Sequence, residues 1–301
     1  MKSASFNSMP FVLQFLRCGG RINGSALQFG ERALGVDLRA RDWHCLAPLG
    51  SLLHSGASLT RIPEDGYLVQ VPGGALFEVP TSEFVSTIGL LADCYVREQH
   101  ACLDVFGKVV LDVGANIGDT AIYFARRGAR HVYAYEPFAA PYGRAMRNVS
   151  LNDLDHEVTL YHSGVGTCGQ TVTGEFMPEW TRLATTVGNN NQPAVDGLTK
   201  RTESVQLRAL TKVLTDISQK HPNTAIVCKI DCEGCEDHLL GGEGISEALA
   251  PVTAIYLEFH NGSDHLVSAL ARLGFSRVAT FGNANEQPLF GQLLATRQTL
   301  Q

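Results

Sequence analysis

The chain has 301 residues, 45% hydrophobic and 18% charged, with a formal net charge of −6 and a pI near 5.9. That is enough for one large α/β domain plus a smaller appendage, each with an ordinary core. No dense Lys/Arg stripe offsets the acidic balance, which weighs against a large phosphate-contacting surface, and no apolar run approaches the ~20 residues of a membrane span.

The first thirty residues contain Lys2, Arg17 and Arg21, several serines and no acid. The segment Phe11–Leu16 is short and interrupted by Gln14, a poor secretory signal. We read this stretch as a loosely ordered lead-in, with a transit peptide as the alternative. Residues 67–71 and 75–79, split by Pro72-Gly73-Gly74, form a hairpin candidate. A helical stretch follows from about Ser82 to His100. Residues 1–100 are thus expected to form a small β-containing cap, and 101–301 the main domain.

From Lys108 onward, apolar runs and helical patterns alternate, as in a doubly wound, mostly parallel sheet. Strand candidates are Val109–Val113, His131–Tyr135, Val158–His162, Ala225–Ile230 and Val252–Phe259. Helices are expected to begin near Gly118, Pro141, Leu210, Glu236 and Ser263, with Pro141 as a first helical residue that has no N–H to lose. Residues 275–281 and 288–296 read as a terminal strand pair. The rhythm breaks over 166–205, rich in Gly and Thr and holding Asn189-Asn190-Asn191. Such a segment is usually functional or disordered; we expect it to be irregular, placed to lid the sheet's carboxyl edge, with Phe176 and Trp180 as anchors or plain packing residues.

Eight cysteines are scattered rather than framed. They are expected to be free thiols in a reducing, cytoplasmic setting. Cys228, Cys232 and Cys235 invite a zinc site, but no fourth ligand accompanies them. We expect Cys228 to pack inside its strand and the other two to fill the turn.

The most informative stretch is Lys108–Asp119. The apolar run Val109-Val110-Leu111 stops at Asp112, Gly114 and Gly118, and a helical pattern follows at once. That describes a buried strand turning tightly into a helix, with backbone N–H groups and a carboxylate left at the turn. The next strand ends in Glu136-Pro137, where dinucleotide folds place an acid on a ribose. The pattern acid-x-Gly-x-x-x-Gly differs from the G-x-G-x-x-G that approaches a pyrophosphate. A carboxylate two residues before the first glycine would repel phosphate but suit an ammonium or sulfonium. No P-loop pattern occurs. An ordinary strand–turn–helix with strain-relieving glycines remains the bland alternative, and Glu136 weighs against it.

Four segments, DVGANIGDTAIYFA from Asp112, YAYEPFAAPYGRAMRNVSLN from Tyr133, KIDCEGCEDHLL from Lys229 and IYLEFH from Ile255, resemble the successive motifs of the FkbM-like S-adenosylmethionine-dependent class I methyltransferases. The resemblance runs from about Val105 to the C-terminus. The first two motifs are shared by many class I enzymes, and K-I-D-x-E-G-x-E at Lys229–Glu236 is the specific one. It implies a Rossmann-like fold with a seven-stranded sheet carrying an antiparallel terminal strand, and S-adenosylmethionine as cofactor. One departure is clear: the family's acidic L-D-x-L segment is Leu207-Arg208-Ala209-Leu210 here.

By position, the backbone Gly114-Ala115-Asn116 through Gly118, with Asp119, would shape the methionine end of the pocket. Asp112 would stand near the ammonium, directly or through water. Glu136, followed by Pro137, would accept both ribose hydroxyls, and Ser163-Gly164 would lie near the adenine. Asp231 would border both the cofactor and the acceptor. On the acceptor side, Asp231, Glu233 and His260 are the candidates, a carboxylate beside His260 serving as general base. Alternatively, Asp231, Glu233, Glu258 and His260 could hold a divalent metal such as magnesium. Blander roles are helix capping by Glu233 and Glu236, a plain loop histidine, and a structural Lys229 paired with one of the acids.

The Asn-Pro-Pro-Tyr motif of many N-methyltransferases is absent, and Asp231-Cys232-Glu233 stands in its place. An oxygen acceptor fits better, and the resemblance implies O-methylation of sugars, macrolides or related metabolites. The expected partner is a small hydroxyl-bearing molecule rather than nucleic acid, and a homo-oligomer is compatible with this reading. The alternatives are tRNA or RNA methylation, because Glu136–Asn152 is also similar to certain tRNA methyltransferases, and a non-catalytic cofactor-binding scaffold, for which the missing acid beside Ala209 speaks.

Overall fold

A computed structural model describes residues 9–23, 26–29, 32–34, 36, 44–63, 66–177, 180–185, 201–281 and 290–297. The chain divides into two compact units, Met1–Gln99 and His100–Gln301.

In the first unit the lead-in is more ordered than expected. It holds a helix, Met9–Arg17, and strands Gly20–Asn23 and Ala26–Phe29. Phe15 is fully buried on that helix, whereas Phe11, Leu13 and Leu16 of the same segment are exposed. The expected hairpin gains a third strand: Gly66–Gln70 pairs with Leu76–Pro80 on one side and with Ser58–Ile62 on the other. A third strand is what a lone hairpin needs to persist in water. The helix foreseen to His100 runs Phe84–Tyr95, after a single 3₁₀ turn at Thr81–Glu83.

The second unit is built on seven strands. In chain order these are β1 (Val109–Val113), β2 (His131–Glu136), β3 (Val158–His162), β4 (Ile226–Ile230), β5 (Val252–Phe259), β6 (Arg277–Phe281) and β7 (Gly291–Thr296). Their order across the sheet is β6-β7-β5-β4-β1-β2-β3. All neighbours are parallel except β7, which is antiparallel to both β5 and β6. Helices α1 (Asp119–Arg126), α2 (Ala139–Leu151), α3 (Leu210–Lys220), α4 (Glu236–Leu239), α5 (Ile245–Ala248) and α6 (Asp264–Arg272) fill the connections. Central β1 and β4 are buried at all five positions, as strands covered on both faces are, and each run is apolar except for one charged residue, Asp112 in β1 and Lys229 in β4. Among the described residues no helix is long and apolar enough to cross a membrane.

Three expectations are corrected here. Pro141 is the third residue of α2, not the first, because the helix already starts at Ala139. The place suits it equally, since the first four N–H groups of a helix have no partner within it. Much of 166–205 is sheet rather than irregular chain: Gln170–Met177, Trp180–Thr185 and Arg201–Ala209 join Gly164–Gly166 in a four-stranded sheet. Thr171, Val172 and Thr173 fit a pleated surface, a signal masked by the glycines around them. Asn189–Asn191 and the side chains of Phe176 and Trp180 lie outside the described residues. Finally, Cys232 and Cys235 are joined by a disulfide while the other six cysteines are thiols. The tight turn brings their Cα atoms to 5.5 Å, within bonding range, so the premise that all eight stand as thiols does not hold. Cys228 is buried in β4 as expected.

Ala209 ends its strand and serves as N-cap of α3, with no side-chain acceptor for the helix N–H groups. Ala209→Ser should therefore stabilise the protein by ~1 kcal/mol, read as a higher urea midpoint at unchanged m; an unmoved midpoint would mean those N–H groups are already satisfied.

Candidate functional site

The sheet's parallel strands end together at their carboxyl edge, where ligands bind in such folds. Asp112, Glu136, Ser163, Asp231 and His260 all lie at or just beyond these ends.

The turn after β1 is shaped by two left-handed glycines. Gly114 has φ 84° and Gly118 φ 83°. A Cβ on Gly114 would run into the carbonyl oxygen of Asp231, so the β1 and β4 turns touch only because no side chain intervenes. The N–H groups of Gly114 and Ala115 both donate to the Tyr135 carbonyl at 3.0 Å. Asn116 is itself left-handed, at φ 48°, and its N–H donates to Glu136 Oε2 at 2.9 Å. Asn148 of α2 donates to the Ile117 carbonyl at 2.9 Å and holds the loop from behind.

Glu136 is buried and its other oxygen, Oε1, accepts the Phe138 N–H at 2.9 Å. Burial pushes its carboxyl up to about 8, against the pull of the two N–H donors and Lys229. Both oxygens keep a second lone pair, so a vicinal diol can still be received. Two further polar atoms here, Asn116 Oδ1 and Ser163 Oγ, are buried without a hydrogen-bond partner. Orphans of this kind are rare in a folded protein, and hydroxyl, amino and ring-nitrogen groups of a nucleoside would satisfy them. Asp119 is buried at the start of α1, and Pro137 packs over Gly164.

Asp112 is more internal than its expected role requires. It is fully buried, Oδ2 accepts the Thr120 hydroxyl at 2.6 Å, and Oδ1 forms an ion pair with Lys229 Nζ at 3.2 Å. Direct contact with a ligand's ammonium would have to displace Lys229, which also donates to the Gly114 carbonyl at 2.7 Å. Lys229 is thus structural. Burial alone would pull its pKa down, but Asp112, Asp231 and Asp119 outweigh it and hold the ammonium charged.

The Asp231–Glu236 turn brings together the second group. Asp231 Oδ2 lies 3.7 Å from Lys229 with its side chain partly exposed. Glu233, left-handed at φ 56°, places Oε2 3.2 Å from His260 Nε2. Glu236 stands 3.4 Å from the opposite ring nitrogen. It also clamps its own loop, accepting the N–H groups of Cys232 at 2.9 Å and Gly234 at 2.8 Å. His260 loses solvation by burial, yet Glu236 and Glu233 outweigh that and raise it to about 9. Glu233 is also raised, by burial first and by Asp231 next, with His260 opposing. Ligand atoms of Asp231, Glu258 and His260 lie within 4.8 Å of one another, a hard, oxygen-rich set with one imidazole that fits a small divalent cation.

Sequence reasoning missed His100. Its ring packs edge-on against Tyr256 at 4.9 Å and Phe124 at 5.8 Å. Burial, then Lys229, lowers its pKa to about 3, so it stays neutral beside the Lys229 row. A lone histidine ahead of a strand carries no sequence signal of this. Arg208, where the L-D-x-L acid would stand, lies over the Tyr161 ring at 4.9 Å.

The family model of the Methyltransferase FkbM domain matches residues 112–277, more than half of the chain. The crystal structure of methyltransferase FkbM from Methylobacillus flagellatus KT is 13% identical with a TM-score of 0.42, the match covering 71% of this chain and 53% of that one. A candidate tRNA (m1A22) methyltransferase from Streptococcus pneumoniae, solved in complex with S-adenosyl-L-methionine, is 19% identical with a TM-score of 0.39, covering 68% of this chain and 73% of that one. Protein arginine N-methyltransferase PRMT10 of Arabidopsis thaliana is 47% identical over 60 residues, which are 20% of this chain and 15% of that protein. This chain therefore spans about half of the FkbM structure and a small part of the curated relative.

Glu136 and His260 make stability fall with rising pH. Each holds its proton more tightly folded than unfolded, so the contribution is complete below the unfolded pKa and lost through the folded one. For Glu136 the window runs from 4.5 to about 8, and for His260 from 6.5 to about 9. The melting temperature of the ligand-free protein should decline across these windows, and Glu136→Gln should flatten the lower one. Parallel wild-type and variant curves over that range would refute the assignment.

Proposed function

Because the chain belongs to the FkbM methyltransferase family, we propose that it transfers the methyl group of S-adenosylmethionine to a hydroxyl of a small-molecule acceptor such as a sugar or macrolide. The observation that carries the oxygen-acceptor reading is His260 held between Glu233 and Glu236, next to Asp231. A sulfonium methyl is already activated, so the protein mainly aligns the acceptor and receives its proton.

On this reading, the Gly114–Gly118 turn with Ala115, Asn116 and Asp119 cradles the methionine end. Glu136 receives the ribose diol beside Pro137, and Ser163-Gly164 line the adenine. Asp112 acts at one remove: paired with Lys229, it fixes the turn. His260, charged at neutral pH, orients Glu233, and the Glu233 carboxylate takes the hydroxyl proton. Asp231, partly exposed beside both, borders cofactor and acceptor. A divalent cation held by Asp231, Glu258 and His260 would supply Lewis-acid polarisation of the acceptor oxygen, the second reading that the clustered ligand atoms favour. The strands within 166–205 follow β3 in the chain and are the proposed source of substrate selection.

Calorimetry and a methyl-transfer screen on hydroxylated metabolites, with and without chelator, test this. Glu136→Ala should weaken cofactor affinity by ~1.5–3 kcal/mol, the scale of a lost charged acceptor. His260→Ala should slow turnover and leave cofactor affinity nearly intact. Unchanged turnover in that variant, or strong salt-sensitive tRNA retention on filters, would overturn the small-molecule reading.

A further inference from the structure

The Asp231–Glu236 turn holds two cysteines that methyl transfer does not use. Cys232 and Cys235 are bonded to each other, whereas the remaining six cysteines, including exposed Cys102 and Cys168, stay as thiols. The bond closes a ring around Glu233 and Gly234, which have φ 56° and φ 109°. Glycine adopts that region freely, but a glutamate leaves it unless something holds it there. It is this conformation that aims Glu233 Oε2 at His260. So small a ring removes little entropy from the unfolded chain, so the bond serves local geometry more than global stability. Cys232 is partly exposed and Cys235 is buried, so a thiolate from solution reaches one sulfur and not the other.

We infer that Cys232 and Cys235 form a thiol–disulfide exchange site for a dithiol, and that their bond sets the position of Glu233. The catalytic consequence rests on the role of Glu233 given above; the exchange itself does not. A dithiol thiolate attacks the Cys232 sulfur, the Cys232–Cys235 bond breaks, and Cys235 leaves as a thiolate and takes a proton. The second dithiol sulfur then attacks its partner in the mixed disulfide and expels Cys232, which is protonated in turn. The dithiol ends as its cyclic disulfide, and two electrons and two protons have passed to the protein. With the ring open, Glu233 returns to negative φ and its carboxylate leaves His260.

The test uses the full chain, equilibrated with oxidised or reduced dithiothreitol, then alkylated under unfolding conditions and mapped by peptide mass. The oxidised sample should carry label on six cysteines and the reduced sample on eight. Hydrogen exchange of the peptide over residues 229–240 should be roughly tenfold faster after reduction, as expected for a locally released segment. A Cys232→Ser, Cys235→Ser double variant should match the reduced wild type and ignore dithiothreitol. Label on all eight cysteines of the oxidised sample, or identical exchange in both states, overturns the proposal. Calorimetry with S-adenosylmethionine in both states separates the two readings: absent cofactor binding alongside the expected exchange difference defeats the proposed function and leaves this site standing.

Discussion

The second unit turns on one buried cation. Taking a lysine out of water costs several kcal/mol unless opposite charge and hydrogen bonds meet it. Lys229 is met by Asp112 at 3.2 Å, Asp231 at 3.7 Å and the Gly114 carbonyl at 2.7 Å. These partners come from neighbouring strands β1 and β4 at the point where both turn away from the sheet. Such a pair is weak evidence for stability, since a well-packed apolar replacement often does as well. Its value is positional: it fixes two turns against each other, so the glycine loop and the acidic loop share one wall.

Around that cation the charges are arranged in tiers. Asp112 is consumed by Lys229, and Lys229 adds to the burial that keeps His100 neutral while pulling against the burial that raises Glu136. Farther out, Glu236 is satisfied by two backbone N–H groups, leaving Glu233 and Asp231 as the carboxylates with freedom to act. The acidic turn that looks self-repelling in sequence is offset by two cations, Lys229 beside Asp231 and His260 between Glu233 and Glu236.

What the sequence made legible follows from burial. Strands β1 and β5 were readable to the residue because their largely apolar stretches end abruptly at polar turns, β3 matched its expected bounds although it is only partly buried, and the reversed β7 came from the family resemblance. The sheet within 166–205 was not legible. Its strands alternate Thr, Val and Gln with charged residues, and a half-exposed strand of that kind looks like loop when glycines interrupt it. The acids and glycines of the site were identifiable because their backbone positions at strand ends are dictated by topology. Their pairings were not, because Asp112 could face a ligand or a lysine equally well until β4 was placed beside β1. The disulfide was invisible for a similar reason: the C-x-x-C spacing permits a bond, but whether the two sulfurs meet depends on the turn between them, which the sequence does not fix.

The reversal of β7 has a consequence for assembly. β6 has β7 as its sheet neighbour and touches β5 through no ladder of its own, although it is made first. β6 is therefore tied to the sheet through β7, a later piece of chain that pairs with both β5 and β6, so anything that frees β7 from β5 frees two strands at once.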